Sequence, residues 1–293
     1  MGRLQDDADT LRYANEVETD FGKGCVTYNQ EDEIVPSQHY SRYVCTESGW
    51  KWMFLLDGSL MTFKDPRDGN EYAAFTTANG QSIMAENLRY EYKIKLEDSE
   101  DSVAYGNRCN TDGCTKYGRY YSWAAAMDSA GVFSTSGKGC GINMDCSPQY
   151  PVRGICPEGW HLPSENEWNE LFKGLKDSYW SDVYYGRIDS SDVPSMVTHA
   201  LQAPGYNEWP RATNTSALTA IPAGYCNATK CIDTDLYAIF WSSTWYPTKE
   251  SSSLRPSAKG IYIHTDKVDI DDFNNSFYGL GSYFSVRCFK DVQ

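Results

Sequence analysis

Along the chain, the spacing of apolar positions passes from two-residue alternation to helical spacing and back. Between Phe21 and Met53 the short runs CVTYN (25–29) and SRYVC (41–45), ending in the aromatic GWKWM (49–53), have strand composition. The segment 62–92 places Asp68-Gly69 and Asn79-Gly80, dipeptides suited to tight turns, on either side of YAAFTT, which predicts a hairpin or meander. In YGRYYSWAAAMDSAG (117–131), Tyr120, Trp123, Ala124 and Met127 fall at i, i+3, i+4 and i+7. That is the stripe of an amphipathic helix packed on a sheet, with Gly131 able to end it. A second helix follows Pro163. Ser164 and Glu167 form a capping box, and Trp168, Leu171, Phe172 and Leu175 bury one face. Glu165, Glu167 and Glu170 therefore read as complements to the helix dipole rather than as catalytic carboxylates. Beyond a long Tyr/Ser/Asp-rich stretch (178–216), strand-like runs return in ALTAIPAGY (217–225), LYAIFWSSTWY (236–246), KGIYIHTD (259–266) and SYFSVRCF (282–289). Strands near both ends with two helices between them describe an α+β domain whose function sits on its long loops.

Composition narrows the partners. With 26 basic against 40 acidic residues the 293-residue chain carries −14, and no basic patch offsets it, so nucleic acid and bare anionic membrane are excluded as partners. No stretch reaches the roughly 18 apolar residues that span a bilayer, and MGRLQDDADTLRYANE is too polar for a signal-peptide core. Ten cysteines nevertheless point to export. Cys109 with Cys114, Cys140 with Cys146, and Cys226 with Cys231 are close pairs in Gly/Asn/Asp-rich loops, which close readily as disulfides. Zinc fits poorly, because His39, His161, His199 and His264 are scattered. The expectation is an extracellular or outer-surface protein whose export signal was removed, Met1 and Gly2 standing in its place.

Three units follow from these patterns. Residues 1–20 are an acid-rich arm without apolar periodicity, flexible or docking. Residues 21–55 are a small β module bracketed by Cys25 and Cys45, whose pairing would contribute about 3 kcal/mol through the unfolded state. Residues 56–293 are the main domain.

The ordered set DPRDGNEY, MAENLRY, YGRYYSWAAAM, SPQYPVRGICPEGWHLPSENEW, ALTAIPAGY, FWSSTW and FSVRCFKD, from about residue 62 to 292, resembles the Fibrobacter succinogenes major paralogous domain. The resemblance implies a bacterial, exported, surface-associated protein. WHLPSENEW is also similar to the helix start of formylglycine-generating-enzyme-like proteins, which implies a C-type-lectin-like fold with two main helices, antiparallel sheets and long loops. The same resemblance implies a long-range disulfide between Cys156 and Cys288. Residues 21–53 are similar to short Cys-containing modules that precede such domains.

The formylglycine-generating chemistry needs a reduced cysteine pair, and the corresponding region offers only Cys288. A G-x-S-x-G elbow is absent, and GKGCG (137–141) lacks the ending of a phosphate loop. The expectation is therefore a non-catalytic binding or adhesion protein. Its favoured ligand is a polysaccharide, whose sugar rings stack on Tyr184, Tyr185, Trp209, Trp245 and Tyr246 while Asn and Asp side chains bind the hydroxyls. Phe240 and Trp241 belong to the core. No cofactor is certain. Calcium is the ion that the acidic clusters at Asp233 and Asp235, and at Asp271 and Asp272, would select. The alternative is a self-assembling structural surface protein, in which residues 1–20 dock on a neighbouring copy by strand addition.

Overall fold

The β-branched and aromatic runs fold into antiparallel sheets. The computed structural model describes residues 61–292 apart from 78–79, 94–105, 111–113, 142–145, 185–188, 228, 248–256 and 274–281, with the backbone of three strands upstream. Those strands, β1 (Ile34–Pro36), β2 (Arg42–Thr46) and β3 (Gly49–Trp52), form one antiparallel sheet with Cys45 opposite Trp50. Cys25 and the arm of residues 1–20 lie outside the described residues.

The main domain begins with the expected meander of β4 (Met61–Lys64), β5 (Glu71–Thr76) and β6 (Ser82–Met84). Gly69 and Gly80 supply the left-handed backbone in its turns, at φ 77° and 88°. Next in the chain come β7 (Asn107–Arg108), α1 (Cys114–Tyr117), β8 (Tyr120–Ser122), α2 (Trp123–Ala126) and β9 (Trp160–His161). Two longer helices follow, α3 (Glu165–Tyr184) and α4 (Val193–Leu201). The remaining strands are β10 (Tyr225–Cys226), β11 (Cys231–Ile232), β12 (Ala238–Tyr246), β13 (Ser257–Ile263), β14 (Val268–Phe273), β15 (Tyr283–Phe284) and β16 (Phe289–Lys290). They complete sheets of order β4-β5-β6-β16-β9, β11-β10-β15-β8-β7 and β12-β13-β14. β16 enters between β6, from the start of the domain, and β9, from its middle, with Phe289 opposite Ile83 on one side and His161 on the other.

The core has two main halves, and β12 divides them. Ile239, Trp241 and Trp245 face one half, with Trp123, Met127 and Phe284, whereas Ala238 and Phe240 face the other, with Trp168, Leu175 and Phe289. A strand buried on both faces needs apolar residues in succession, which accounts for the unbroken run AIFW. Among the described residues there are four disulfides: Cys109–Cys114, Cys140–Cys146 and Cys226–Cys231 close short loops, and Cys156–Cys288 spans 132 residues within the Trp123 half of the core. No described helix is long and apolar enough to cross a membrane.

Three local expectations are corrected. The stripe at 117–131 is core, since Tyr120, Trp123, Ala124 and Met127 are all buried, but only Trp123–Ala126 is helical. Pairing of Tyr120–Ser122 with β7 and β15 takes the preceding residues into a sheet, and Ser122 then caps the short helix by accepting from Ala125 N–H. The segment 217–225 is a strand only at its end. Ala217 and Thr219 adopt left-handed backbone, at φ 59° and 53°, and the carbonyls of 218 and 219 point to a side chain rather than a ladder. Within 178–216 lies α4, where Val193, Val197, Ala200 and Leu201 are buried at helical spacing behind Pro194.

That side chain is Arg287, fully buried at the centre of the domain. Its Nε donates to Asn87 Oδ1 (2.6 Å), one terminal nitrogen to the carbonyls of Met84 (3.0 Å) and Leu218 (2.6 Å), and the other to that of Thr219 (2.9 Å). Asn87 in turn donates to Tyr117 O and Ser285 Oγ. No carboxylate pairs with the guanidinium among the described residues, and burial lowers its pKa to about 9. Burying this cation is tolerable only because neutral acceptors take its donors, and those acceptors depend on it equally. Replacing Arg287 by Met strands three carbonyls and Asn87, so it is expected to remove about 3–5 kcal/mol from denaturant-measured stability. Arg287→Lys should recover only part of that, because an ammonium cannot fill the planar fork. A loss below about 1 kcal/mol for Met would contradict this assignment.

Candidate functional site

The start of α3 is fixed by its own side chains and by β12. Ser164 Oγ accepts from Glu167 N–H (3.3 Å), Glu167 Oε2 accepts from Ser164 N–H and from its hydroxyl (both 2.8 Å), and Thr244 Oγ1 accepts from Glu165 N–H (2.8 Å). The capping box is therefore formed as read, and its carboxylate has a further duty. Glu167 Oε1 lies 2.7 Å from Nε2 of His161, while Nδ1 of the same ring lies 2.7 Å from Asp291 Oδ1. A neutral imidazole has a single N–H, so two carboxylate acceptors on one ring call for the imidazolium. Burial by itself would lower the pKa of His161, but hydrogen bonds and charge from Glu167 and Asp291 outweigh it and raise the value above 6.5. Burial would likewise raise Glu167, but His161 and Ser164 hold its carboxyl below the ordinary 4.5.

Two cavities meet at this point. One, of about 670 Å³, is walled by Tyr150, Pro151, Asn166, Glu167, Thr244 and Asp291. The other, of about 430 Å³, runs along α3 over the apolar side chains of Ile83, Leu171 and Phe289. Asn166 and Glu167 belong to both walls. Tyr150 is 54% exposed at the larger cavity and anchors its hydroxyl on Ser243 O (3.2 Å), leaving an aromatic ring held at the surface.

The aromatic residues singled out in the sequence separate sharply. Trp209 is 1% exposed, with its indole N–H on Leu236 O, and Trp245 is 8% exposed, stacked on Trp123 at 4.9 Å. Both are core residues and neither presents a face to a sugar. Trp245 is buried by its place on β12, as Trp241 and Phe240 are, whereas Trp209 lies in the irregular segment after α4 and packs into the other half of the core. Tyr246 is half-buried and donates its hydroxyl to Glu165 Oε2 (3.0 Å), which brings it to the same helix start. Tyr184 ends α3, and Tyr185 lies outside the described residues.

The acidic clusters are kept apart. Asp233 and Asp235 follow β11 in left-handed backbone, and Asp235 accepts from Tyr117 hydroxyl (3.0 Å) with Lys116 Nζ at 3.9 Å. Asp271 and Asp272 lie on β14, opposite Gly260 and Lys259. No group of three or more His, Cys, Asp or Glu placed to hold a metal occurs among the described residues.

The reading of the sequence gave no role to Tyr150, His161, Asn166 or Asp291. The first three lie inside SPQYPVRGICPEGWHLPSENEW, a motif quoted for its helix start, whereas only the register of β16 on β9 carries Asp291 to His161.

The family model described as Fibrobacter succinogenes major domain matches residues 77–290. The sheet extends that unit upstream, since β4 and β5 continue it beyond β6. No curated protein and no solved structure matches the chain.

The imidazolium clamp makes stability depend on pH. The His161 contribution is complete below its unfolded pKa and is lost as pH rises through the raised folded value, while that of Glu167 is complete above 4.5 and lost as pH falls. His161→Gln should therefore lower Tm most between about pH 5 and 6.5, with the deficit shrinking at alkaline pH. Nitrogen-detected NMR should show both ring nitrogens of His161 protonated at pH 6.5, and Glu167→Gln or Asp291→Asn should each pull the titration down. A single-N–H tautomer at pH 6 would overturn the assignment.

Proposed function

This chain belongs to the Fibrobacter succinogenes major domain family, and from that premise and the geometry at α3 we propose that it is a secreted or cell-surface, non-catalytic binding protein for polysaccharide. The observation that carries the reading is the exposed ring of Tyr150 beside a cavity walled by the amide of Asn166, the hydroxyls of Ser164 and Thr244 and the carboxylates of Glu167 and Asp291. A pyranose has an apolar C–H face that stacks on such a ring and a rim of hydroxyls that hydrogen-bond to side chains such as Asn166, Thr244 and Asp291. Tyr246, at the same helix start, is the one member of the original aromatic set with both a described side chain and partial exposure.

Several features support binding over catalysis. Ser164 donates its hydroxyl to Glu167, but His161 and Ser164 hold that carboxyl below its ordinary pKa, which makes it a weak base; Thr244 accepts from Glu165 N–H, and both nitrogens of His161 are occupied by carboxylates. The clamp thus leaves no strong base beside these hydroxyls. The four bridged cysteine pairs support export, since such bonds persist in oxidising surroundings. We read the arrangement as C-type-lectin-like. The bridge from Cys156 to Cys288 and the return of β16 to the start of the domain support that reading.

The test is a panel of soluble and insoluble plant polysaccharides offered to the oxidised protein, with Tyr150→Ala as its partner. Saturable binding to a polymer is expected, with Tyr150→Ala weakening it about five- to tenfold and leaving Tm within about 2 °C. Absence of binding across the panel, with the protein running as a large oligomer, would turn the reading to surface assembly.

A further inference from the structure

The smaller cavity adjoins the site at Tyr150 but is built differently. Asn166, Glu170, Lys173 and Asp177 recur at i, i+4, i+7 and i+11 of α3, an exposed polar stripe along one border. Ile83, Leu171 and Phe289 form the apolar floor behind it. Within the same wall, ten residues into a twenty-residue helix, stands Gly174.

A glycine in a helix interior destabilises it relative to alanine, so its presence asks for a reason. Backbone conformation supplies none, because Gly174 is ordinary helix and is not among the residues with positive φ. Packing supplies none either, since a Cβ built at Gly174 meets no atom within 4 Å. The contrast is with Gly137 and Gly154, where a Cβ would collide with backbone oxygens at 2.0 and 2.2 Å. The fold does not need Gly174 bare, and what its missing side chain leaves open is the cavity itself.

We propose that this cavity is a second subsite for the same ligand, and that Gly174 keeps the flank of α3 clear so that a sugar ring can lie against the helix backbone over Phe289 and Leu171. The inference rests on the polysaccharide reading above. Asn166 and Glu167, shared by both walls, make the two cavities consecutive positions along one furrow. The ligand class is accordingly an extended neutral glycan chain gripped along its length. A single terminal sugar would fill one cavity alone. The uncompensated carboxylates of the stripe, with Lys173 the cation among them, disfavour a polyuronate.

The experiment titrates the oxidised protein with neutral xylo-, cello- and manno-oligosaccharides of one to six sugars. Affinity should rise at least tenfold between the shortest binder and the hexasaccharide, and the Gly174 amide resonance should shift only with the longer chains. Gly174→Ala should raise Tm by about 1–3 °C yet weaken the hexasaccharide several-fold. Gly174→Leu should abolish the gain from length while leaving the short oligomer bound as before. Retained length dependence in a folded Gly174→Leu protein, or an amide at Gly174 that never responds, would overturn the subsite alone. Failure of every oligosaccharide and polymer to bind the unsubstituted protein would overturn the polysaccharide reading together with the subsite.

Discussion

One cation, buried on neutral acceptors, organises this domain. The guanidinium of Arg287 reaches the chain at two segments far apart in sequence, Met84 and Asn87 at the end of β6 and just past it, and Leu218 and Thr219 in the turn before β10. A hydrophobic contact in its place would tolerate sliding, whereas four donors at fixed angles specify where each carbonyl stands. The consequence at 217–219 is visible in the backbone. Two non-glycine residues take left-handed angles there, and Asn214 steadies the turn through Thr219 N–H (2.7 Å). The guanidinium also lies over the ring of Phe240, so the polar hub touches the strand that divides the core.

This hub also explains which parts of the chain can be read one residue at a time. The meander at 61–84, the capping box at Ser164 and Glu167, and the strand runs of β12 and β13 are local, each set by turn chemistry, a pair of side chains or burial on two faces. They were legible. The stripe at 117–131 had the right residues buried but the wrong backbone, because β7 and, from far along the chain, β15 claimed Tyr120–Ser122 as a strand. ALTAIPAGY has strand composition, yet Arg287 takes its carbonyls away from any ladder. Composition describes what a segment prefers, and a buried partner seventy residues away can outbid it.

The site was legible to a smaller degree for a related reason. Large aromatics in an aromatic-rich chain are candidates for both core and ligand, and period does not separate the two. Trp209 and Trp245 went to the core, while Tyr150, in the same chemical class, stayed at the surface with its hydroxyl on Ser243 O. The clamp could not be read at all. His161 and Asp291 stand 130 residues apart, and what joins them is the pairing of two-residue strands, β9 and β16. Strands so short carry no periodic signal of their own.

The bridge between Cys156 and Cys288 has a mechanical side. A pull on the chain from outside this pair is carried across the sulfur–sulfur bond, so the residues enclosed by it bear no tension. That sheltered loop holds α3 with Gly174, His161 and β12, while Ile83, Tyr150, Phe289 and Asp291, which face them, stand outside it. Force applied through the chain ends would thus draw those outer residues away from α3 before the helix itself came under load, and they could return to it without the enclosed segment refolding.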